Sequence, residues 1–353
     1  MKNNKIRETT LKAIRFEKPD YIPMTFVINP SCWKAYPQNE LFDLMESHPF
    51  LFPDFVRPQH SFIPSYPNVA RKDHPYVDDW GCLWETTIDG ITGTVTKHPL
   101  EDWEQFATYQ MPNPEKCMGI GAIDWKKEAE EVKRLVANGQ LIMRGLRHGH
   151  TFLQLCDIRG YENAIFDMLD EEPELEHLLD MIVTFNLHII KRYLDMNVDI
   201  ITIPEDLGMQ VGPMISPDQF KQYILPCYKK MAEAVKAKGT IVHMHSDGDI
   251  RTLMPLLLEC GIDVFNLQDL VNGIPWIKEN LKGKVCIDLD IDRQKITPFG
   301  TPKDVEQMIM EEVKELGSKE GGLMMIYGLY PGVPLENVKA LMDAMEKYAF
   351  YYA

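Results

Sequence analysis

Short runs rich in apolar and β-branched residues recur along this chain, alternating with longer stretches whose apolar positions repeat at a helical period. The runs are IPMTFVI (22–28), QLIMRGL (140–146), VDIITI (198–203), TIVHMH (240–245), IDVFNL (262–267), KVCID (284–288) and LMMIY (323–327). Between them the periodicity predicts helices over 172–196, 217–238, 250–259, 303–316 and 335–348. Nearly continuous apolar strands separated by helices are what a parallel sheet covered on both faces requires. The punctuation agrees: Ser216 and Pro217 form an N-cap and a first-turn proline, Gly239 closes the far end, and Thr301-Pro302 repeats the start. Pro226 falls inside 217–238 and predicts a kink there.

A closed barrel needs eight strands, and 152–158 is taken as the eighth. No GxGxxG follows the first strand, which disfavours an open dinucleotide-binding sheet. The expected fold class is therefore α/β, a TIM-type (β/α)8 barrel forming one domain over 1–353, with a long insertion after the first strand. That insertion, 30–139, clusters Pro, Trp and Tyr, and TIDGITGTVTKH (87–98) reads as a β-hairpin turning near Asp89-Gly90 or Gly93.

Composition narrows the function. A net charge of −16 argues against nucleic acid and anionic membranes as partners, since both call for basic patches. The 7 cysteines contain no CxxC pair and read as reduced thiols of a cytoplasmic protein. The first 23 residues lack the apolar core of a signal peptide, and no later window approaches a membrane span.

Working residues of such barrels sit at the C-terminal ends of strands. Reading off those positions gives Arg147, His148 and His150; Glu205 and Asp206; the run His243-Met244-His245-Ser246-Asp247-Gly248-Asp249; Gln268 and Asp269; Asp288; and Tyr330. On an extended strand Ile241, His243 and His245 share one face, aimed into the barrel, while Val242 and Met244 share the other. Imidazole and carboxylate together make an N/O site suited to zinc or a similar divalent ion. A catalytic zinc takes about three protein ligands and keeps one position open. Glu205, His245 and Asp247 are the ligand candidates; handling a proton, or hydrogen bonding to substrate, is the alternative for the same groups. His243, deeper in the strand, reads as a core histidine or a catalytic one, and Asp249 as an N-cap. Glu205 and Asp206 also read as ion-pair partners for Arg147 or Arg159. Trp33, Trp80, Trp84 and Tyr330 each read first as packing.

DDWGCLWETTIDGITGTVTKHPLEDW (78–103), LRHGHTFLQLCDIRGYEN (146–163), ISPDQFKQYILPCYKKMAEAVKAKG (215–239), HMHSDGD (243–249) and GLYPGVPLENVKAL (328–341) together resemble the uroporphyrinogen decarboxylase superfamily, from about residue 5 onward. The resemblance implies a TIM barrel, and either a haem-pathway decarboxylase or a methyltransferase serving a corrinoid protein. Decarboxylases of that family carry an Arg-rich MRQAGRY-like segment soon after the first strand. Here MTFVINPSCWKAYPQ (24–38) has no arginine, which is poor electrostatics for a polycarboxylate porphyrinogen. The methyltransferase branch shows His-x-Cys and a second Cys near the last strand. His245 matches, but Asp247 stands at the first Cys position and the second falls near Leu329. An O/N-ligated zinc is a harder Lewis acid than a thiolate-bound one, better matched to an ether oxygen or a leaving phenolate.

The resemblance and its departures thus imply a corrinoid-dependent, O-demethylase-like methyltransferase. It would move a methyl group from a small methoxy substrate to a corrinoid-binding partner protein, the substrate being aromatic if the Trp- and Tyr-rich insertion covers the mouth. In this expectation Glu205, His245 and Asp247 hold zinc or handle the leaving-group proton. Asp206, Asp288, Tyr330 and His243 form the catalytic set, and Arg147, His148 and Gln268 bind substrate. The alternatives are a decarboxylase of uroporphyrinogen or a smaller acid, with Asp206 or Asp288 handling the proton, and a barrel that binds a ligand without turnover. A homodimer is implied by the resemblance alone.

Overall fold

The computed structural model describes residues 3–353. One sheet contains β1 (Met24–Ile28), β2 (Met143–Gly145), β3 (Ile200–Pro204), β4 (Ile241–Ser246), β5 (Val264–Gln268), β6 (Cys286–Asp290) and β7 (Leu323–Leu329). The helices used below are α1 (Phe152–Arg159), α2 (Pro173–Leu194), α3 (Leu225–Lys236), α4 (Ile274–Asn280), α5 (Pro302–Leu316) and α6 (Leu335–Ala349). Successive strands joined by helices make this the α/β class expected from the sequence, of the TIM-barrel type, with 7 strands in the sheet rather than eight. The chain separates into two compact units: residues up to Pro67 with Ile88–Ile91 and Asn266–Ala353, and Asn68–Thr87 with Thr92–Phe265. Strand β5 runs across the division. The 30–139 segment contributes to both units. Among the described residues no helix is long and apolar enough to cross a membrane.

In the first unit the strand order is β1-β7-β6-β5. β1 runs parallel to β7 from Met24 opposite Met325 to Ile28 opposite Leu329, and β6 runs parallel to β7 on its other side. Every residue of β6 is buried, as a strand covered on both faces must be. α5 opens with a capping box in which Thr301 and Asp304 satisfy each other's backbone N–H groups. Its buried positions Val305, Met308, Ile309, Val313 and Leu316 follow the helical period, so one stripe faces inward.

In the second unit the order is β5-β4-β3-β2, with β3 parallel to both β4 and β2. The expected strand at 152–158 is instead helix α1. Burial on nearly all sides, at Phe152, Gln154, Leu155, Cys156, Ile158 and Arg159, left no helical period in the sequence to set against the strand reading. The expected kink near Pro226 is a register slip. Residues Phe220–Ile224 form a π turn in which the Leu225 N–H reaches back to the Phe220 carbonyl, immediately before α3, whose first turn contains Pro226. One extra residue in that turn accommodates the donor that proline lacks. The predicted hairpin is present but longer-looped, pairing Leu83–Glu85 with Thr94–Lys97. Trp80 and Trp84 are buried, Trp80 lying edge-on to Phe185 with ring centres 5.1 Å apart, so they are core rather than an exposed aromatic platform.

Candidate functional site

The second unit gathers His148, Asp206 and His245 at the C-terminal ends of β2, β3 and β4. Strand register explains the meeting: Thr202 stands opposite His243 and Pro204 opposite His245. Residues 202, 204 and 206 therefore alternate onto the face that carries the two histidines. His148 Nε2 lies 3.2 Å from Asp206 Oδ1, and His245 Nε2 lies 3.5 Å from the same oxygen. The two imidazole centres are 5.6 Å apart. Asp247 follows in the loop: its N–H donates to Asp206 Oδ1 at 3.1 Å, and its Oδ1 is 3.7 Å from His245 Nε2.

These separations test whether a metal ion fits. Ligand atoms about 2.1 Å from a tetrahedral zinc stand about 3.4 Å from one another. The observed 3.2 and 3.5 Å are such edges, and one ligand atom from each of His148, Asp206 and His245 lies within 4.8 Å of the other two. The side chains are 50%, 31% and 19% exposed respectively, which leaves a solvent-facing side for a further ligand. Burial opposes the charge on Asp206, but hydrogen bonding to His148 and His245, with their attraction, outweighs it and holds the carboxyl well below the usual carboxylate range. An ionised carboxylate and two imidazoles are a donor set that suits zinc.

Glu205, expected as a ligand, is not one of this group; Asp206 stands beside the histidines where Glu205 was expected. Parity is the reason: adjacent residues of a strand point to opposite faces. The Glu205 carboxylate is fully buried. Its Oε1 accepts from the Thr151 and Leu153 N–H groups at 3.1 and 2.9 Å, and its Oε2 from the Tyr228 hydroxyl at 2.6 Å. Burial, reinforced by the Glu205 charge, pushes the Tyr228 phenol well above its usual range, so it remains a donor.

Arg147 also departs from expectation. Its guanidinium donates to Asp157 Oδ2 at 2.7 Å, Gln154 Oε1 at 2.9 Å and the His148 carbonyl at 2.9 Å, and stacks 5.5 Å over the Trp84 ring. Its side chain is only 7% exposed, so it braces the loop that carries His148 rather than reaching substrate. His148, read as a substrate contact, is instead in the convergent group. His243 is buried within β4, outside that group. His150 is buried against Tyr228 with its Nδ1 2.6 Å from the Thr151 hydroxyl, and burial holds it neutral. Asp249 pairs with Arg251 at 2.7 Å and accepts from the Arg251 N–H, a local turn-capping role.

The first unit carries Gln268 at the end of β5 and Tyr330 just past β7, whereas Asp288, expected at a strand end, lies in the middle of β6, which runs on to Asp290. Gln268 and Asp288 are buried, and Tyr330 is 39% exposed with the Arg293 guanidinium 5.5 Å from its ring centre. Arg293 also donates to Asp290 Oδ2 at 2.6 Å. The reading from sequence missed Asp290 and Arg293, although the alternation Asp288-Leu289-Asp290 places both carboxylates on one face of β6. Leu329 is buried, and its carbonyl accepts from the Cys32 thiol at 3.2 Å. Burial pushes the Cys32 thiol up to about 12.

Comparisons with known proteins agree with one another. The family model described as uroporphyrinogen decarboxylase (URO-D) matches residues 86–348. Among similar proteins is a uroporphyrinogen decarboxylase of Prochlorococcus marinus, 23% identical over 187 residues, 51% of this chain and 50% of that one. Another is the methylcobamide:CoM methyltransferase MtbA of Methanosarcina mazei, 22% identical over 173 residues, 49% of each chain. These two alignments span about half the length of the curated relatives. A solved structure described as a methyltransferase from Methanosarcina mazei shares the fold, with a TM-score of 0.68 at 18% identity over 99% of both chains.

Proposed function

The chain belongs to the uroporphyrinogen decarboxylase (URO-D) family, and we propose that within it this protein is a metal-assisted methyltransferase. Its substrate would be a small methoxy compound and its acceptor a corrinoid carried by a partner protein. The observation that carries the reading is the convergence of His148, Asp206 and His245, with Nε2 atoms 3.2 and 3.5 Å from one carboxylate oxygen. Similarity to a protein named as a methylcobamide methyltransferase supports the transfer chemistry. So does the missing arginine in 24–38, which a polyanionic porphyrinogen would call for.

Breaking a methyl ether is limited by its leaving group. Zinc held by His148, Asp206 and His245 would act as a Lewis acid toward the ether oxygen, lowering the cost of the charge that develops there. Asp206, kept ionised between two imidazoles, orients both rings and balances the charge of the site. Asp247, 37% exposed beside His245, is placed to handle the proton that the departing oxygen takes up. A corrinoid carried by a partner protein would supply the cobalt(I) nucleophile that takes the methyl carbon, the electron pair of the C–O bond leaving on the oxygen that the His148, Asp206 and His245 site would stabilise and Asp247 would help to protonate. A methoxyarene remains the first candidate because phenolate leaves more readily than an alkoxide; the buried Trp80 and Trp84 lend that choice no support.

The test is an anaerobic incubation of the zinc-loaded protein with cob(I)alamin and a methoxybenzoate. Formation of methylcobalamin, abolished in His245→Ala and Asp206→Ala, is the expected result. Carbon dioxide release from uroporphyrinogen without methyl transfer would establish the alternative suggested by the decarboxylases among its relatives, with Asp206 or Asp288 handling the proton.

A further inference from the structure

We propose that Glu205 is the positioning residue of this site: its buried carboxylate ties the loop after β2 and helix α3 to the end of β3, and its backbone N–H joins the ties to β4, in the one arrangement in which Asp206 and His148 face His245. The proposal rests on reading His148, Asp206 and His245 as the working group. Each segment is tied to residues 204–208. The loop after β2 is held by the Thr151 and Leu153 N–H groups on Glu205 Oε1, and by the Gly149 N–H on the Pro204 carbonyl at 2.9 Å. The end of β4 is held by the Glu205 N–H on the His245 carbonyl at 3.0 Å. The loop after β4 is held by the Leu207 N–H on Ser246 Oγ at 2.9 Å and the Gly208 N–H on the Asp247 carbonyl at 3.2 Å. Asp206 sits between these ties, so its orientation is set by its neighbours' bonds.

The chemistry explains why a carboxylate occupies this place. Three donors, two backbone N–H groups at the start of α1 and the Tyr228 hydroxyl, converge on two oxygens. A glutamine could keep its oxygen on the two N–H groups only by turning its NH2 toward the Tyr228 hydroxyl, which must then accept rather than donate, so the phenol hydrogen and the second amide hydrogen both lose the acceptor that the carboxylate provides. The positive end of α1 adds a preference for an anion. Losing this clamp leaves the Gly149–Pro204 bond to hold the 147–151 loop against the end of β3, a looser tie in which the ligand atoms lose their common geometry while the sheet beneath stays paired.

The test uses the full chain and the variants Glu205→Gln, Glu205→Ala and Tyr228→Phe. Zinc affinity is measured by chelator competition. In parallel, 15N-histidine-labelled protein without metal reports the imidazole nitrogens of His148 and His245. Zinc binding should weaken roughly 10–100-fold in Glu205→Gln, more in Glu205→Ala and less in Tyr228→Phe. The His148 and His245 nitrogen signals should shift, while those of His177 and His188 on α2 hold still. A purely structural role would lower the melting temperature but leave both site readouts unchanged, and that result overturns the proposal. If the wild type takes up no zinc, the metal reading fails, and the histidine spectra still decide the positioning claim. If both Glu205 variants fail to fold, Tyr228→Phe decides: the proposal stands if its site signals move and falls if they do not.

Discussion

Gly248→Ala should disable the proposed metal site from a position that contributes no ligand. Gly248 has φ +81°, and a Cβ there would lie 2.1 Å from the Gly208 carbonyl carbon and 2.2 Å from its oxygen. Ordinary contact begins near 3.4 Å, so the two backbones must separate by about 1.3 Å. Both partners are backbone, so no side chain can swing aside. Gly208 is two residues from Asp206, and Gly248 directly follows Asp247. Metal sites tolerate ligand displacements of only about 0.2 Å, so a shift several times larger should cost zinc affinity roughly 100-fold, the upper end for changes outside the ligands themselves. Gly239→Ala is the control: it has φ +71° with nothing within 4 Å of the added carbon. It should carry the same backbone penalty, about 1 kcal/mol, and leave zinc affinity at the wild-type value. Chelator competition with melting curves on both variants separates the effects. Wild-type affinity in Gly248→Ala would refute the link between this backbone contact and the site.

Two further outcomes follow from buried charges away from the metal group. In the first unit burial, joined by the Asp269 charge, pushes the Glu312 carboxyl well above its usual range, and burial pushes Asp269 up to about 6. Asp292 and Glu311 are the other acids acting on Glu312. The folded chain keeps protons that the unfolded chain loses, so this contribution is fully present below about pH 4 and is lost as pH rises through about 6. The melting temperature of Glu312→Gln should therefore gain on the wild type between pH 5 and pH 8; a gap that does not change with pH contradicts a raised Glu312 carboxyl. In the second unit Arg147→Met strands Asp157, which is mostly buried, and should cost about 3–5 kcal/mol in urea unfolding. Arg147→Met combined with Asp157→Leu should recover most of that loss, and additive losses would show that the pair does not act as a unit.

The strands were legible because each lies in a short, mainly apolar run with polar residues massed toward its C-terminal end, and β1 through β7 overlap those runs. α1 was not legible as a helix, because the contact that fixes its start comes from Glu205, more than fifty positions away. The choice between Glu205 and Asp206 was legible and was missed. Applying to β3 the alternation used for His243 and His245 puts Asp206 on the histidine face and Glu205 behind it. His148 depends on a loop of positive-φ Gly149, whose path no periodicity describes. Arg147 looked available because Asp157 and Gln154 become its partners only when α1 folds back beside it.

X-ray absorption at the zinc edge of the loaded protein reports the ligands themselves. The structure predicts a first shell of N and O only, near 2.0–2.1 Å, with the outer-shell scattering of two imidazoles from His148 and His245. Asp206→Ala should remove an oxygen and Glu205→Gln should remove none. A sulfur shell near 2.3 Å, or a wild-type protein that binds no zinc, would contradict the site described for this chain.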